Sequence, residues 1–229
     1  MAVPWSLFPV LCSLFLFSPE WKTERTRENE EKKKKKKERG TRNREQGTGN
    51  KERWPQGDGL AQRKNIEIKA RCDNLEKARQ VALSLHAELL AEGEQTDTYF
   101  NSPQGRLKLR QSSFDDAATL VWYLRQDAPQ PRPSEYRLAR LKKPEKIVEL
   151  FSVRFGVRGV VKKHRTVFLY DNVRIHLDDV ENLGRFIELE APVADGPAEA
   201  LQVVDRLMDA FQIEKEDLVA GSYRDLLLE

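Results

Sequence analysis

From residue 64 onward the chain alternates between polar and apolar positions in short runs, the signature of half-buried strands. Residues 65–71 form the first such run. Asp73 then predicts a helix N-cap, with Glu76 three residues later closing a capping box. That helix is expected to run to about residue 91, with Leu75, Ala78, Ala82, Leu85 and Leu89 on one face. Strands are predicted near 96–100, 106–112 and 119–126. A proline-rich turn at 129–133 precedes a strand at 136–141. Pro144 suits the first residue of a helix through Phe155. Further strands are expected at 157–166, 166–170, 173–180 and 185–192, then a helix from Pro197 to about Phe211 and a short helix near 217–228. No internal repeat is evident. Four helices set among many strands predict an α+β, predominantly antiparallel β domain over residues 63–229.

Residues 1–62 have a different texture. The apolar run 5–17 contains Pro9 and is too short to span a bilayer comfortably as a helix. It has the length of a signal-peptide core, but no Lys or Arg precedes it and no small-x-small cleavage site follows. The stretch 22–53 is charge-rich, includes six consecutive lysines at 32–37, and is expected to be a disordered, low-complexity extension. Translation starting near Ala61 is another reading of the same boundary. Charge follows this division. Residues 20–63 hold 15 Lys and Arg against 9 Asp and Glu, a net of +6 in a chain whose total is +3. The folded part is therefore mildly acidic, which argues against a specific nucleic-acid binder. An adaptor for membranes or nucleic acids would rest on the lysine run alone. Cys12 and Cys72 make neither a disulfide framework nor a zinc cluster, and a cytoplasmic location is expected.

The chemistry lies in which face of each strand is charged. Glu67, Lys69 and Arg71 share one face of their strand, with Ile66, Ile68 and Ala70 opposite. Arg106, Lys108 and Arg110 repeat the pattern, as do Tyr123 with Arg125, Lys163 with Arg165, and Arg174 with His176 and Asp178. Glu188 and Glu190 alternate with Ile187 and Leu189. The plain explanation is a sheet whose polar face meets solvent. The sharper one is a closed sheet with these faces lining its interior. Cations there would suit polyphosphate oxygens, and arginine offers a bidentate fork. Clustered carboxylates would suit a hard divalent ion such as Mg²⁺ or Mn²⁺.

At this point the ordered motifs resemble the CYTH superfamily, the triphosphate tunnel metalloenzymes, named for bacterial class IV adenylate cyclase and thiamine triphosphatase. The ExExK signature stands here as Asn65-Ile66-Glu67-Ile68-Lys69. Further matches are Gln95 to Phe100, Leu107-Lys108-Leu109-Arg110, Trp122-Tyr123-Leu124-Arg125 and Lys163-His164-Arg165. The most specific is the run Ile175 to Glu190, IHLDDVENLGRFIELE, and the terminal Ser222 to Leu227 also fits. The resemblance implies an eight-stranded antiparallel β-barrel forming a triphosphate tunnel, with flanking helices. It implies that Lys69, Lys108, Arg110, Arg125, Lys163 and Arg165 bind the triphosphate, and that Glu67, Asp178, Glu188 and Glu190 hold Mg²⁺ or Mn²⁺. The implied activity is that of a metal-dependent adenylate cyclase, making cyclic AMP and pyrophosphate from ATP, or of a triphosphate phosphohydrolase. The alternative is a non-catalytic module that binds polyphosphate or a nucleotide. Asn65, standing where the signature has its first Glu, favours that alternative because it brings no charge. The expected partner is a small-molecule triphosphate, and an exposed barrel flank could pair two copies as a homodimer.

Other residues take plainer expectations. His86 and His164 are expected at the surface; His176 shares the charged face, where a structural hydrogen bond is the first expectation and contact with substrate the alternative. Tyr99 and Phe100 are expected to pack the core, Trp122 to pack an outer face, and Asp97 either to join the acidic cluster or to end a strand.

Overall fold

The structure is a computed structural model and describes residues 62–142, 144–194 and 196–228. The expectations placed on residues 1–61 lie outside the described residues. Eight strands follow one another in the chain: β1 (Arg63–Arg71), β2 (Glu88–Phe100), β3 (Arg106–Ser112), β4 (Asp115–Arg125), β5 (Arg132–Leu141), β6 (Val157–Tyr170), β7 (Val173–Val180) and β8 (Gly184–Pro192). They close into a barrel in the order β1-β5-β4-β3-β2-β6-β7-β8, every pair antiparallel, with β8 returning to β1. The helices are α1 (Leu75–Ser84), α2 (Pro144–Phe155), α3 (Pro197–Phe211) and the short α4 (Tyr223–Leu226), with a 3₁₀ turn at Lys215–Asp217. Among the described residues no helix is long and apolar enough to cross a membrane.

The main apolar core lies outside the barrel wall. Ile66, Ile68, Ile175, Leu177, Ile187 and Leu189 point outward from β1, β7 and β8 and pack against Ala78 and Ala82 of α1 and Ala200, Val204 and Leu207 of α3. Each fully buried aliphatic side chain of this kind contributes about 1.5–3 kcal/mol. Strand alternation then sends the charged residues of the same strands inward. The fold is thus apolar between sheet and helices, and ionic within the sheet.

Three local expectations are corrected. The cap of α1 is Asn74, whose Oδ1 accepts from the Lys77 amide, and not Asp73. The helix stops at Ser84 and not near residue 91. His86 takes a left-handed φ of 60°, and residues 88–91 instead pair with Leu169, Phe168 and Val167 of β6. Helical propensity over that stretch yields to tertiary pairing. Finally, 157–170 is one continuous strand rather than two.

The β7–β8 turn positions the site. Asn182 and Gly184 adopt left-handed φ values of 62° and 101°, a conformation that asparagine and glycine tolerate best. The resulting register sets His176 opposite Glu188 and Arg174 opposite Glu190, all four on the inward face.

Candidate active site

The barrel interior is a cavity whose charged lining comprises Arg63, Lys69, Lys108, Arg110, Arg125, Lys163, Arg165 and Arg174 against Glu67, Asp115, Glu188 and Glu190. Cations outnumber carboxylates, so the space favours a polyanion. Asp97 and Asp178 lie fully buried behind this lining. All six expected triphosphate ligands, and Glu67, Glu188 and Glu190 of the four expected metal ligands, face the cavity.

Cross-strand partners neutralise these ions in pairs. Lys69 Nζ lies 2.8 Å from Glu188. Arg165 forks onto Asp178, donating from Nε at 2.6 Å and Nη2 at 2.5 Å, and Nη2 also reaches Glu188 at 2.6 Å. Arg174 Nη2 donates to Glu190 at 2.8 Å. Arg125 pairs with Glu67, and Arg132 Nε approaches the same carboxylate at 3.9 Å. Asp97 accepts from Lys108 at 2.7 Å and Arg110 at 3.0 Å, with Lys163 at 3.8 Å. Buried ions persist only when partnered in this way.

The pairing moves the titrations. Burial alone would raise the carboxyl of Asp97, but Arg110, Lys108 and Lys163 hold it well below the usual range. Burial likewise opposes ionisation of Glu190, and above all Arg174 overcomes it, leaving it at about 2. Glu188 is held low against burial by Lys69, with Arg165 also beside it. Lys163 Nζ stands 3.5 Å from Asp178 and 3.8 Å from Asp97, carboxylates that closer cations already hold. Burial, with Arg165 beside it, brings its ammonium down to about 7. Burial and then Arg165 also lower His176, which favours the neutral imidazole.

One end of the cavity is closed. Val161, Val180, Phe186 and Tyr99 form an apolar layer with Tyr223 of α4. The Tyr223 hydroxyl donates to Asp178 at 2.8 Å, and its ring lies under Lys69 Nζ at 3.8 Å and Lys163 Nζ at 4.8 Å. The preceding loop is tied down by the Val219 amide donating to the Lys69 carbonyl at 2.9 Å and by Arg125 Nη2 on the Gly221 carbonyl at 2.5 Å. At the other end, Asn65 Oδ1 accepts from the Tyr136 hydroxyl at 3.3 Å.

Several residues sit differently from expectation. Asp178 does not join the other carboxylates as a free donor, because Arg165 and Tyr223 occupy its oxygens. Tyr99 packs in the apolar layer, as expected, and also lines the cavity, while Phe100 packs edge-on against Phe151. Asp97 is the hub of a cationic cluster; its position opposite Arg110 is the signal that could have found it. His176, expected to make a structural hydrogen bond, instead lies with Glu188 and Glu190, one ligand atom of each falling within 4.8 Å of the others. Arg132 was masked by its flanking prolines, which read as a turn while β5 in fact begins there. His164 is exposed, as expected, beside Glu92 and Glu94.

The donor set fits a divalent ion. His176 Nδ1 is buried without a hydrogen-bond partner, and two carboxylates face it.

Comparison with known proteins agrees with this geometry. The family model of the CYTH domain matches residues 63–223. A Methanocaldococcus jannaschii protein named "Putative adenylate cyclase" is 24% identical over 173 residues, which covers 70% of this chain and 97% of that protein. Among solved structures, a Pyrococcus horikoshii protein is 27% identical with a TM-score of 0.64, covering 71% of this chain and 98% of its own. A conserved hypothetical protein of Pyrococcus furiosus is 25% identical with a TM-score of 0.63, covering 71% and 99%.

Proposed function

The chain belongs to the CYTH domain family, and on that premise we propose that it is a metal-dependent enzyme acting on the triphosphate of a nucleotide or other organic triphosphate. The observation that carries this reading is the closed tunnel whose lining holds more cations than carboxylates. Such a surplus serves a ligand that is itself anionic.

In this reading Lys69, Lys108, Arg110, Arg125, Lys163 and Arg165 take the phosphate oxygens. The arginines supply planar forks and the lysines point charges. Tyr223 and Phe186 shut the inner end, so the triphosphate enters from the end that carries Asn65 and Tyr136. Glu188 and Glu190, with Glu67 directly across from Glu190, would hold Mg²⁺ or Mn²⁺. Asp178 then serves to orient Arg165. The ion would neutralise charge on the phosphates and help orient the attacking oxygen. Two reactions fit the tunnel. In hydrolysis, water forms the new P–O bond at the terminal phosphorus, the bond to the bridging oxygen breaks, and the diphosphate leaves as orthophosphate is released. In cyclisation, the ribose 3′-hydroxyl forms it at the α-phosphorus and pyrophosphate leaves. The name borne by the Methanocaldococcus relative supports testing the second.

Asn65 motivates a second reading, a binding module without turnover, because its amide cannot add the charge of the missing Glu. Product analysis separates these readings. The full chain is incubated with ATP, thiamine triphosphate or inorganic triphosphate, each with Mg²⁺ and with Mn²⁺. Cyclic AMP with pyrophosphate identifies a cyclase, and orthophosphate a hydrolase. Tight binding with no product from any combination selects the binding module and overturns the enzymatic reading.

A further inference from the structure

We infer that His176 supplies a nitrogen ligand to the divalent-ion site, and that the site therefore selects Mn²⁺, or an ion of similar borderline character, over Mg²⁺. The inference rests on the reading of Glu188 and Glu190 as ion ligands and adds the third donor.

The first observation is an orphan. His176 is 4% exposed, and its Nδ1 has no hydrogen-bond partner. In an interior where the neighbouring ions are paired, a buried polar atom left over needs an explanation. The second is its direction. Nδ1 stands 3.6 Å from Glu188 Oε2 and 3.8 Å from Glu190 Oε1, beyond hydrogen-bond reach of both. Ligand atoms about 2.1 Å from one ion lie ~3.0 Å apart when adjacent and ~4.2 Å apart when opposite. The observed separations fall between those limits. The spacing is too long for an imidazole–carboxylate hydrogen bond and suits an ion held between the groups.

Glu190 is prepared for this, whereas Glu188 Oε2 accepts from Arg165 at 2.6 Å and has to be released to the ion. Glu190 gives Oε2 to Arg174, which leaves Oε1 turned toward the imidazole. The β7–β8 register fixes all three residues on adjacent strands, so the donor triangle is built into the sheet. His164 offers a contrast. It also lies beside two glutamates, but it is 47% exposed and its Nδ1 already sits 3.0 Å from Glu94.

Ion choice follows from donor type. Mg²⁺ demands oxygen ligands in a near-ideal octahedron and dehydrates reluctantly. Imidazole nitrogen suits first-row transition ions better. Replacing one oxygen by Nδ1 therefore shifts the balance from Mg²⁺ toward Mn²⁺.

The test is pulsed electron paramagnetic resonance of Mn²⁺ added to the full chain with inorganic triphosphate. It is paired with calorimetric titration of Mn²⁺ and of Mg²⁺. The chain has three histidines, so few imidazoles could give a signal. The expected result is ¹⁴N modulation in the wild type that survives His164→Gln and is lost in His176→Gln. The Mn²⁺-over-Mg²⁺ affinity ratio should fall ~tenfold or more in His176→Gln. Bound Mn²⁺ without ¹⁴N modulation in the wild type overturns the inference and leaves the carboxylate reading standing, whatever becomes of the variant. Failure of the wild type to bind either ion removes the carboxylate reading, and the inference with it.

Discussion

On the proposed function, Lys163 should make triphosphate binding pH-dependent, with a sign that separates it from any effect on folding. Its ammonium is buried, and burial with Arg165 alongside lowers it to about 7. A triphosphate brings oxyanions to this ammonium and returns it toward its ordinary value near 10.5. Binding then takes up a proton above pH 7. If the bound form stays protonated to pH 9 or beyond, affinity falls about 50-fold between pH 7 and pH 9, or ~2.3 kcal/mol. The free fold responds in the opposite direction. Between the folded value and the unfolded one the unfolded chain binds more protons, so stability rises with pH across that window and does not change with pH through this group well below pH 7. Weaker binding at pH 9 thus cannot be assigned to unfolding through this residue. The assay is calorimetric titration with inorganic triphosphate in EDTA at several values from pH 7 to pH 9. The comparison is Lys163→Arg, whose guanidinium stays charged throughout. Both proteins meet the same ligand, so its own ionisation cancels. Lys69, also lowered by burial, leaves a residual slope in both. Lys163→Arg should be markedly flatter than wild type. Equal slopes in the two proteins would refute the reasoning.

Three further outcomes follow from the same contacts. Asp97→Asn leaves Lys108 and Arg110 without their shared carboxylate and should cost about 3–5 kcal/mol in urea unfolding, partly restored by inorganic triphosphate; an unchanged midpoint would deny Asp97 its role as hub. Tyr223→Ala removes the ring beneath Lys69 and beside Phe186 and should cost about 3–5 kcal/mol, whereas Tyr223→Phe, losing only the bond to Asp178, should cost about 1–2 kcal/mol by the same measurement. Asn65→Glu places a carboxylate near Glu67 and should raise divalent-ion affinity in calorimetry, with any turnover rising in parallel; weaker ion binding would show that this position does not serve the ion.

The strand alternation made the tunnel interior legible because one face of a closed sheet is read directly from residue parity. Lys69, Lys108, Arg110, Lys163 and Arg165 are all accessible to that logic. It worked best where strand and turn signals agreed, as in Val173–Val180, and where proline opened a helix, as in Pro144–Phe155 and Pro197–Phe211. It failed where local preference and tertiary pairing disagree. Leu85 to Ala91 has a helical pattern, yet residues from Glu88 onward complete β2 against β6. Pro131 and Pro133 disguised the start of β5 and hid Arg132. Parity also cannot say which cation meets which carboxylate. That Asp178 is consumed by Arg165 and Tyr223, and that Asp97 gathers Lys108 and Arg110, depends on barrel register and on a C-terminal helix that closes the tunnel from another part of the chain.

The paired interior has a thermodynamic consequence for how the ligands enter. Lys69 and Arg165 hold Glu188, Arg174 holds Glu190, and Arg125 holds Glu67, so the tunnel folds with these carboxylates already compensated. A triphosphate arriving alone would draw Lys69 and Arg165 onto its oxygens and leave Glu188 buried with fewer cations, which is costly. A divalent ion arriving alone would draw the glutamates away and leave those cations facing one another. When both arrive together, the cations pass to phosphate, the carboxylates pass to the ion, and charge contacts are exchanged rather than lost. Each ligand therefore lowers the cost of admitting the other. The expected coupling is about 1–3 kcal/mol and must be the same whichever ligand is titrated first. On the proposed function, the salt-paired tunnel, and not any single ligand residue, would make the ion and the triphosphate bind as one unit.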